Sequence, residues 1–255
     1  MKYFSLTDKG LVRDNNEDSI ACDTIGGCLC MVIADGLGGQ EKGELASSIA
    51  SSAMLEILRE NESVLASFDE PGIVKILEES FQKVNNKILL RACYDKTSIG
   101  MSTTLTCAIM SEKRLIIAHI GDCRAYTLHG SKLMCLTKDH TYAEELKKSG
   151  SADVSEEELR KARNMLTKYL GENIFITPDI YRYNIVYGDL ICLCSDGLYA
   201  YIGEEELRQT LRTHADLEKC AHDLIDEVYK NGAKDNVSVI LAHNRPNDKK
   251  ELFTV

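Results

Sequence analysis

The chain has 255 residues, 44% of them hydrophobic, which is enough to bury the core of one large domain or two small ones. Its formal net charge of -10 argues against nucleic acid as the main partner, because no basic field gathers phosphates. It has no apolar run long enough for membrane insertion and its first residues do not resemble a signal peptide, so we expect a cytoplasmic protein.

The first part of the chain predicts strands followed by helices. Residues 2–10 are typical of a strand that ends in a turn, and residues 21–36 predict a hairpin whose turn is Gly26-Gly27. Apolar residues then recur at helical spacing, which predicts two amphipathic helices, the second beginning near Pro71.

Strand signals return in the second half of the chain. Residues 102–137 contain four strand-like runs, and residues 179–197 contain more. Between them, the polar segment from 140 to about 171 has weak strand signals, and we expect it to form a flap-like insertion. Two further helices and a last strand at 237–244 follow.

This order of elements lacks the strict alternation of a doubly wound parallel sheet. It favours mainly antiparallel sheets covered by helices, which is an α+β class. Because the chain shows no internal repeat or linker, we predict a single domain over residues 1–243, followed by a polar tail at 244–255.

Four aspartates stand where apolar, strand-like runs meet turns. An aspartate at the end of a buried strand is held rigidly, and several can converge from distant parts of the chain. Converging carboxylates repel one another, and a hard divalent cation relieves that repulsion. The pattern therefore predicts a metal centre suited to phosphoryl chemistry, although each Asp-Gly or Asp-Asn alone would be typical of a turn. These residues are Asp35, Asp122, Asp196 and Asp235.

The ten cysteines do not predict zinc or disulfides. The chain contains no Cys-x-x-Cys pair, the spacing typical of zinc sites. Cys28 and Cys30, like Cys192 and Cys194, are spaced to face one side of a strand. We interpret them as small buried residues of a protein in a reducing compartment.

The acidic residues lie in motifs that resemble those of the metal-dependent serine/threonine protein phosphatases, the type 2C or PPM family, in their compact bacterial form. The similarity runs from about Asp8 to His243. Any one motif is weak, whereas five in register are highly specific. The motifs are TDKGLVRDNNED at 7–18, ADGLGG at 34–39, GMSTT at 100–104 with GDCRAY at 121–126, CSDGL at 194–198 and KDNVSV at 234–239; LTKDHT at 136–141 also fits.

The resemblance implies an αββα four-layer sandwich, in which two mainly antiparallel β-sheets are flanked by helix pairs and the metal centre lies at one end. It implies two Mg²⁺ or Mn²⁺ ions at the core site and allows a weaker third. Asp35 would bridge the two ions, and Gly36 would offer its carbonyl to one of them. Asp196 and Asp235 would ligate the other ion.

The resemblance also assigns residues around these ligands. Glu17 and Asp18 would hold metal-bound waters or act as occasional ligands, and Asp122 would bind the third ion. Asn236 would support Asp235. Arg13 matches the residue that grips the substrate phosphate, and a planar guanidinium suits that task. Without the motif, Arg13 would be interpreted as a surface salt bridge with Asp14 or Glu17.

The implied activity is hydrolysis of phosphoserine and phosphothreonine in proteins by direct attack of a metal-bridging hydroxide. The residues implied as catalytic are Arg13, Asp35, Asp196 and Asp235. We expect a monomer that acts on phosphorylated proteins, among them a bacterial-type serine/threonine kinase. Two alternatives stay open: a catalytically weak binding or regulatory module of the same fold, and a phosphatase of small phosphorylated metabolites.

Three departures from the family pattern bear on mechanism. Leu37 stands where many eukaryotic relatives carry a histidine proposed as the general acid, so the proton would come from a metal-bound water or from the substrate. Cys123 replaces the usual serine after Asp122, which predicts a neutral replacement or a site sensitive to oxidation. The segment 162–171 matches its counterpart only loosely, so substrate selection is the least transferable property. We interpret His140 as structural.

Overall fold

Two antiparallel sheets packed face to face form the centre of the computed structural model, which describes residues 1–38, 41–149 and 155–244. The predicted polar tail lies outside the described residues from position 245 onward, and residues 150–154 of the predicted insertion lie outside them as well.

The first sheet has five strands, and each is antiparallel to its neighbours. It contains, from one edge to the other, β1 (Lys2–Asp8), β11 (Val237–His243), β10 (Leu190–Cys194), β7 (Arg124–His129) and β8 (Lys132–Cys135).

The second sheet has six strands, also antiparallel. Its order is β2 (Asp18–Ile25), β3 (Cys28–Leu37), β5 (Leu105–Met110), β6 (Arg114–Ile120) and β9 (Asp179–Asn184), and the short β4 (Ser102–Thr103) pairs with the end of β3.

Helices cover the outer face of each sheet. The second sheet carries α1 (Glu41–Glu60), α2 (Glu62–Ser67) and α3 (Glu70–Tyr94), followed by a 3₁₀ turn at Lys96–Ser98. The predicted insertion contains α4 (Tyr142–Ser149) and α5 (Glu156–Arg163). The first sheet carries the single-turn α6 (Asp196–Tyr199), α7 (Glu204–Thr213) and α8 (Leu217–Lys230).

Strand β3 shows how the layers are held together. Cys30 and Val32 point into the apolar layer beneath α1 and α3, whereas Leu29, Met31 and Ile33 point into the layer between the two sheets. Both faces of the strand are therefore buried, which explains why its sequence is a continuous apolar run rather than an alternating one. The layering confirms the predicted αββα sandwich.

Two local features differ from the sequence-based expectation. The short α2 adds a third helix to the layer over the second sheet, and its buried Leu65 explains why it packs there. The run at 102–111 is divided at Thr104, whose amide donates to the carbonyl of Asp35 at 2.8 Å instead of continuing a regular ladder. Elsewhere the predicted helices and strands form at the expected positions.

Two composition-based expectations can be compared with the structure. Within the described ranges, no helix combines the length and apolarity needed to cross a bilayer. All ten cysteines carry free thiols, and Cys28, Cys30, Cys192 and Cys194 are buried as expected.

Candidate metal centre

One end of the sandwich collects the acidic residues singled out from the sequence. Asp18 begins β2 and lies directly opposite Asp35 of β3. Asp122 lies in the turn between β6 and β7, Asp196 begins α6 just after β10, and Asp235 lies just before β11. Because neighbouring strands run in opposite directions, the ends of β3, β6 and β10 meet the starts of β2 and β11 at this edge.

The clustered carboxylates strongly perturb one another. Burial raises the pKa of Asp35 well above its ordinary value, and four neighbouring charges raise it further, those of Asp18, Asp196, Asp122 and Asp235. Burial also raises the pKa of Asp18 to about 7 and that of Asp196 to about 6. A group of buried and half-buried carboxylates resists full ionisation unless a cation compensates the charge.

The chemical character of the site fits hard divalent cations. The described residues include no group of three or more histidine, cysteine or acidic side chains already arranged tightly enough to hold an ion. The fit therefore rests on an all-oxygen donor set with raised carboxyl pKa values, and on Glu17. Among the described residues, its buried Oε1 atom finds no hydrogen-bond partner. Mg²⁺ and Mn²⁺ favour such oxygen donors.

Hydroxyl groups that sequence analysis did not assign hold Asp18 in place. The side chains of Ser195 and Ser238 both donate to Asp18 Oδ2 at 2.7 Å. The two serines are themselves connected, since the Ser238 amide donates to Ser195 Oγ at 3.0 Å. Their sequence signal is that each lies next to or close behind a candidate acidic ligand, in SDG and DNVS.

Two threonines of the GMSTT motif fix the backbone of Asp35. The Asp35 amide donates to Thr104 Oγ1 at 2.8 Å, and Thr103 Oγ1 donates to the Asp35 carbonyl at 2.8 Å. Both threonines are fully buried. The motif was recognised from the sequence, but its role in orienting Asp35 depends on contacts that join positions about 70 residues apart.

Gly36 is required by a close backbone approach. A Cβ atom at this position would lie 2.1 Å from the carbonyl oxygen of Gly43 in α1 and 2.7 Å from that of Glu17. The Gly36 amide donates to the Glu17 carbonyl at 3.0 Å. The glycine thus lets the first turns of α1 and the Glu17 loop close against β3.

The guanidinium of Arg13 contacts the acidic cluster, most closely at Asp235. Its Nη2 atom contacts Asp235 Oδ1 at 2.8 Å and Oδ2 at 3.0 Å, and its Nη1 atom lies 3.8 Å from Glu17. Hydrogen bonding to Asp235 raises the pKa of Arg13. The sequence suggested Asp14 or Glu17 as a salt-bridge partner of Arg13. In the structure the guanidinium pairs with Glu17 and Asp235.

Asn236 holds the loop that carries Arg13. Its amide nitrogen donates to the carbonyls of Lys9 and Asn15, both at 2.9 Å, and its Oδ1 atom accepts from the Glu17 amide at 2.8 Å. Its backbone amide also donates to Asp235 Oδ1 at 2.9 Å, as support for Asp235 would require. The side-chain contacts with the loop were not foreseen.

The structure shows the surroundings of Leu37 and Cys123, which depart from the family pattern, and of His140. Leu37 ends β3 opposite Ser102 and offers no titratable group. Cys123 is buried, which raises the pKa of its thiol, and this favours the neutral replacement. His140 stacks on His119 with ring centroids 4.9 Å apart, and its Nδ1 atom accepts from the Gly121 amide at 3.0 Å, as expected for a structural histidine.

The family model and the curated relatives that match this chain are all protein phosphatases. The family model for protein phosphatase 2C matches residues 11–242. Among curated relatives, the serine/threonine phosphatase stp of Listeria innocua is 30% identical over 242 residues, 92% of each chain. The serine/threonine protein phosphatase PstP of Mycobacterium tuberculosis is 31% identical over 244 residues, which are 95% of this chain and 45% of that protein.

Solved structures show the same similarity in three dimensions. A bacterial serine phosphatase superposes with a TM-score of 0.86 at 28% identity, covering 97% of this chain and 99% of the other. The catalytic domain of PstP in complex with two manganese ions gives a TM-score of 0.80 at 30% identity, covering 95% and 97%.

Proposed function

Because this chain belongs to the protein phosphatase 2C family, we propose that the acidic residues and Arg13 at one end of its sandwich carry out the family's reaction. The protein is a serine/threonine protein phosphatase that depends on divalent metal ions and acts on phosphorylated proteins. The alternative of a catalytically weak binding module has no support in its residues, since Arg13, Asp35, Asp196 and Asp235 are all present.

The proposed core site holds two ions through oxygen atoms. Asp35 would bind both ions, the Gly36 carbonyl would bind one of them, and Asp196 and Asp235 would bind the other. The raised pKa of half-buried Asp35 supports this assignment, because a carboxylate among other carboxylates gains most from a shared cation.

Three further residues complete the proposed ion sites. Glu17 and Asp18 are assigned to bound water or to occasional ligation, and the unpaired Oε1 atom of Glu17 supports a role toward an ion. Asp122 is assigned to a third, weaker ion. Burial and the charge of Asp196 raise the pKa of Asp122, which supports a cation beside it.

Arg13 is proposed to bind the substrate phosphate. Its guanidinium, held beside Asp235, has a planar fork that can bond two phosphate oxygens at once. When bound, the divalent ions would supply an activated water for in-line attack on phosphorus and would neutralise charge on the phosphate. No side chain needs to act as nucleophile. Since Leu37 cannot donate a proton, the leaving oxygen would take its proton from water or from the substrate.

Four broader properties are part of the same proposal. Residues 1–243 act as one catalytic unit, with the segment from 140 to about 171 as a flap. The protein acts as a monomer and opposes a bacterial-type serine/threonine kinase. It works in the cytoplasm, which its ten free thiols support, because free thiols persist in a reducing compartment.

The observation that carries the assignment is the meeting of acidic residues from five distant segments at one end of the sandwich. We would test it by measuring phosphate release from a phosphothreonine peptide and from a small aryl phosphate, with Mn²⁺ and with EDTA. The wild type should need Mn²⁺. Asp35→Asn should lose at least about a hundredfold in activity, since it weakens the bridge between two dications.

Asp226→Asn is the matched control, because Asp226 is an exposed aspartate on α8. It should keep wild-type activity. Full Mn²⁺-dependent activity in Asp35→Asn would overturn the assigned site. The ratio between the two substrates distinguishes a protein phosphatase from the alternative of a phosphatase for small metabolites, which would favour the compact substrate.

A further inference from the structure

Tyr199 joins two of the acidic segments. It is the last residue of α6, the helix that Asp196 begins, so Tyr199 and Asp196 lie on the same single turn. The Tyr199 hydroxyl donates a hydrogen bond of 3.0 Å to the backbone carbonyl of Asp122. A ligand-bearing helix of the first sheet is thereby tied to the turn that holds the candidate ligand of the weaker ion.

The Tyr199 ring is fixed by an ion pair beneath it. The guanidinium carbon of Arg124 lies 3.7 Å from the centre of the ring, a cation–π contact. Arg124 in turn forms a two-pronged ion pair with Asp139, with its Nη2 atom 2.7 Å and its Nε atom 3.0 Å from the carboxylate oxygens. The ring therefore has little freedom to swing its hydroxyl away from Asp122.

The Asp122 turn is held from its other side as well. The Gly121 amide donates to His140 Nδ1 at 3.0 Å, and the His140 amide donates to the Gly121 carbonyl at 2.7 Å. Next to Asp122, the Cys123 thiol lies 3.3 Å from Thr104 Oγ1. The Tyr199 hydroxyl thus ties the backbone of this turn to the Asp196 helix, in addition to the contact between Arg124 and the Tyr199 ring.

We propose that Tyr199 is a positioning residue that sets the ion affinity of Asp122 by coupling the Asp122 turn to the Asp196 helix. The inference rests on the proposed assignment of Asp122 to the weaker ion. Tyr199 acts through the Asp122 backbone, to whose carbonyl its hydroxyl donates. It fixes the Asp122 backbone, so that the carboxylate is presented to an ion without a loss of conformational freedom on binding.

The test is a Mn²⁺ titration followed by the electron paramagnetic resonance signal of free Mn²⁺, a readout of binding rather than activity. In Tyr199→Phe, which removes only the hydroxyl, the weakest binding step should become about three- to tenfold weaker, while tighter steps stay as in the wild type. Asp122→Asn should affect the same step, and the double variant should be no worse at that step than Asp122→Asn alone.

Tyr183→Phe is the matched control. Tyr183 is a partly buried tyrosine whose hydroxyl donates to the backbone carbonyl of Leu136 at 2.6 Å. It lies on β9 opposite Leu115, near the start of β6, whereas Asp122 follows the end of β6. The Tyr183→Phe variant loses the same kind of hydrogen bond as Tyr199→Phe, from a tyrosine hydroxyl to a backbone carbonyl. Its thermal stability should therefore fall by a similar amount, whereas all its Mn²⁺ binding steps should match those of the wild type.

The outcomes separate this inference from the assignment on which it rests. If Asp122→Asn weakens the last step but Tyr199→Phe binds Mn²⁺ like Tyr183→Phe, the role of Tyr199 is wrong and the Asp122 assignment stands. If Asp122→Asn leaves every binding step unchanged, the Asp122 assignment fails and the inference fails with it. A weaker last step in both single variants, without a further loss in the double variant, supports the coupling.

Discussion

At the residue scale, Arg13 shows how one side chain can serve a substrate and the site at once. Its guanidinium is about half exposed and is held by Asp235, itself a proposed ion ligand. An incoming phosphate, with up to two negative charges, can compete for the same donors, because charge-assisted hydrogen bonds to phosphate are strong. The guanidinium of Arg13 therefore stays accessible to a substrate phosphate, because its ion pair with Asp235 is not fully buried.

Arg13→Ala should mainly weaken binding of the phosphorylated substrate. We expect KM for a phosphothreonine peptide to rise about tenfold to a hundredfold, with a smaller change in kcat, since hydrogen bonds to charged groups contribute about 1.5–3 kcal/mol. Arg59→Ala is the control, because Arg59 forms a comparable surface pair with Asp23 at 2.7 Å. Equal KM values in the two variants would contradict the assignment of Arg13.

At the element scale, the loop between β1 and β2 is shaped by a residue from the far end of the chain. Asn236, just before β11, bridges the carbonyls of Lys9 and Asn15 and accepts from the Glu17 amide. The Asn236 side chain is almost fully buried. Without it, the carbonyls of Lys9 and Asn15 and the amide of Glu17 would lose these hydrogen-bond partners. The geometry of Arg13 and Glu17 thus depends on β11 being in place.

Asn236→Ala should reduce both stability and metal response. Loss of three hydrogen bonds, one buried and two partly buried, should lower the free energy of unfolding by about 2–4 kcal/mol. The loosened Glu17 loop should raise the Mn²⁺ concentration for half-maximal activity. The matched control is Asn244→Ala. Asn244 bridges the carbonyls of Glu112 and Val186, both at 2.8 Å, at the opposite end of the sandwich.

Asn244→Ala should lose stability without any change in the Mn²⁺ requirement. Urea denaturation and Mn²⁺ titration of the two variants measure these effects separately. If both variants shift the Mn²⁺ response equally, the effect of Asn236 is general destabilisation rather than support of the loop.

At the scale of the whole molecule, the acidic cluster makes the stability of the metal-free protein depend on pH. A carboxyl whose folded-state pKa is raised binds more protons in the folded state than in the unfolded state, so its contribution to stability falls as pH rises. For Asp18 and Asp196 this loss runs from about pH 4 in the unfolded chain up to about 7 and about 6 in the folded protein.

Buried histidine acts in the opposite direction. Burial lowers the pKa of His119 to about 3, so its contribution to stability rises with pH until the unfolded histidine is neutral. The free energy of unfolding therefore contains a carboxyl contribution that falls with pH and a histidine contribution that rises with pH. A comparison of two proteins that share the histidines but differ by one carboxyl isolates the carboxyl term.

Asp35→Asn should be more stable than the wild type in EDTA near neutral pH, by about 1–3 kcal/mol. The difference should shrink toward pH 4, where the unfolded Asp35 also becomes protonated. Mn²⁺ should reverse the order at pH 7.5, because ions that bind only the folded wild type stabilise it by mass action. Thermal unfolding with and without Mn²⁺ measures both effects. A wild type that is the more stable protein in EDTA at pH 7.5 would contradict this account of the cluster.

Much of the fold was predictable because it rests on local pattern. The helical spacing in α1 and α3 and the apolar strand runs identify their elements, and the order of the elements excludes a doubly wound sheet. The short α2 escaped prediction because a six-residue helix has too few turns to show a period, and only its packing through Leu65 stabilises it.

The sequence by itself determined which residue types the site contains, since the acidic motifs and Arg13 are visible as strand ends and turns. Only the tertiary structure decided how they are held. The hydroxyls on Asp18, the Asn236 bridge across the loop and the Tyr199 bond to Asp122 each join residues that are 77 or more positions apart. Contacts of that kind follow from the packing of two sheets, not from local spacing, and a single chain carries no periodic signal for them.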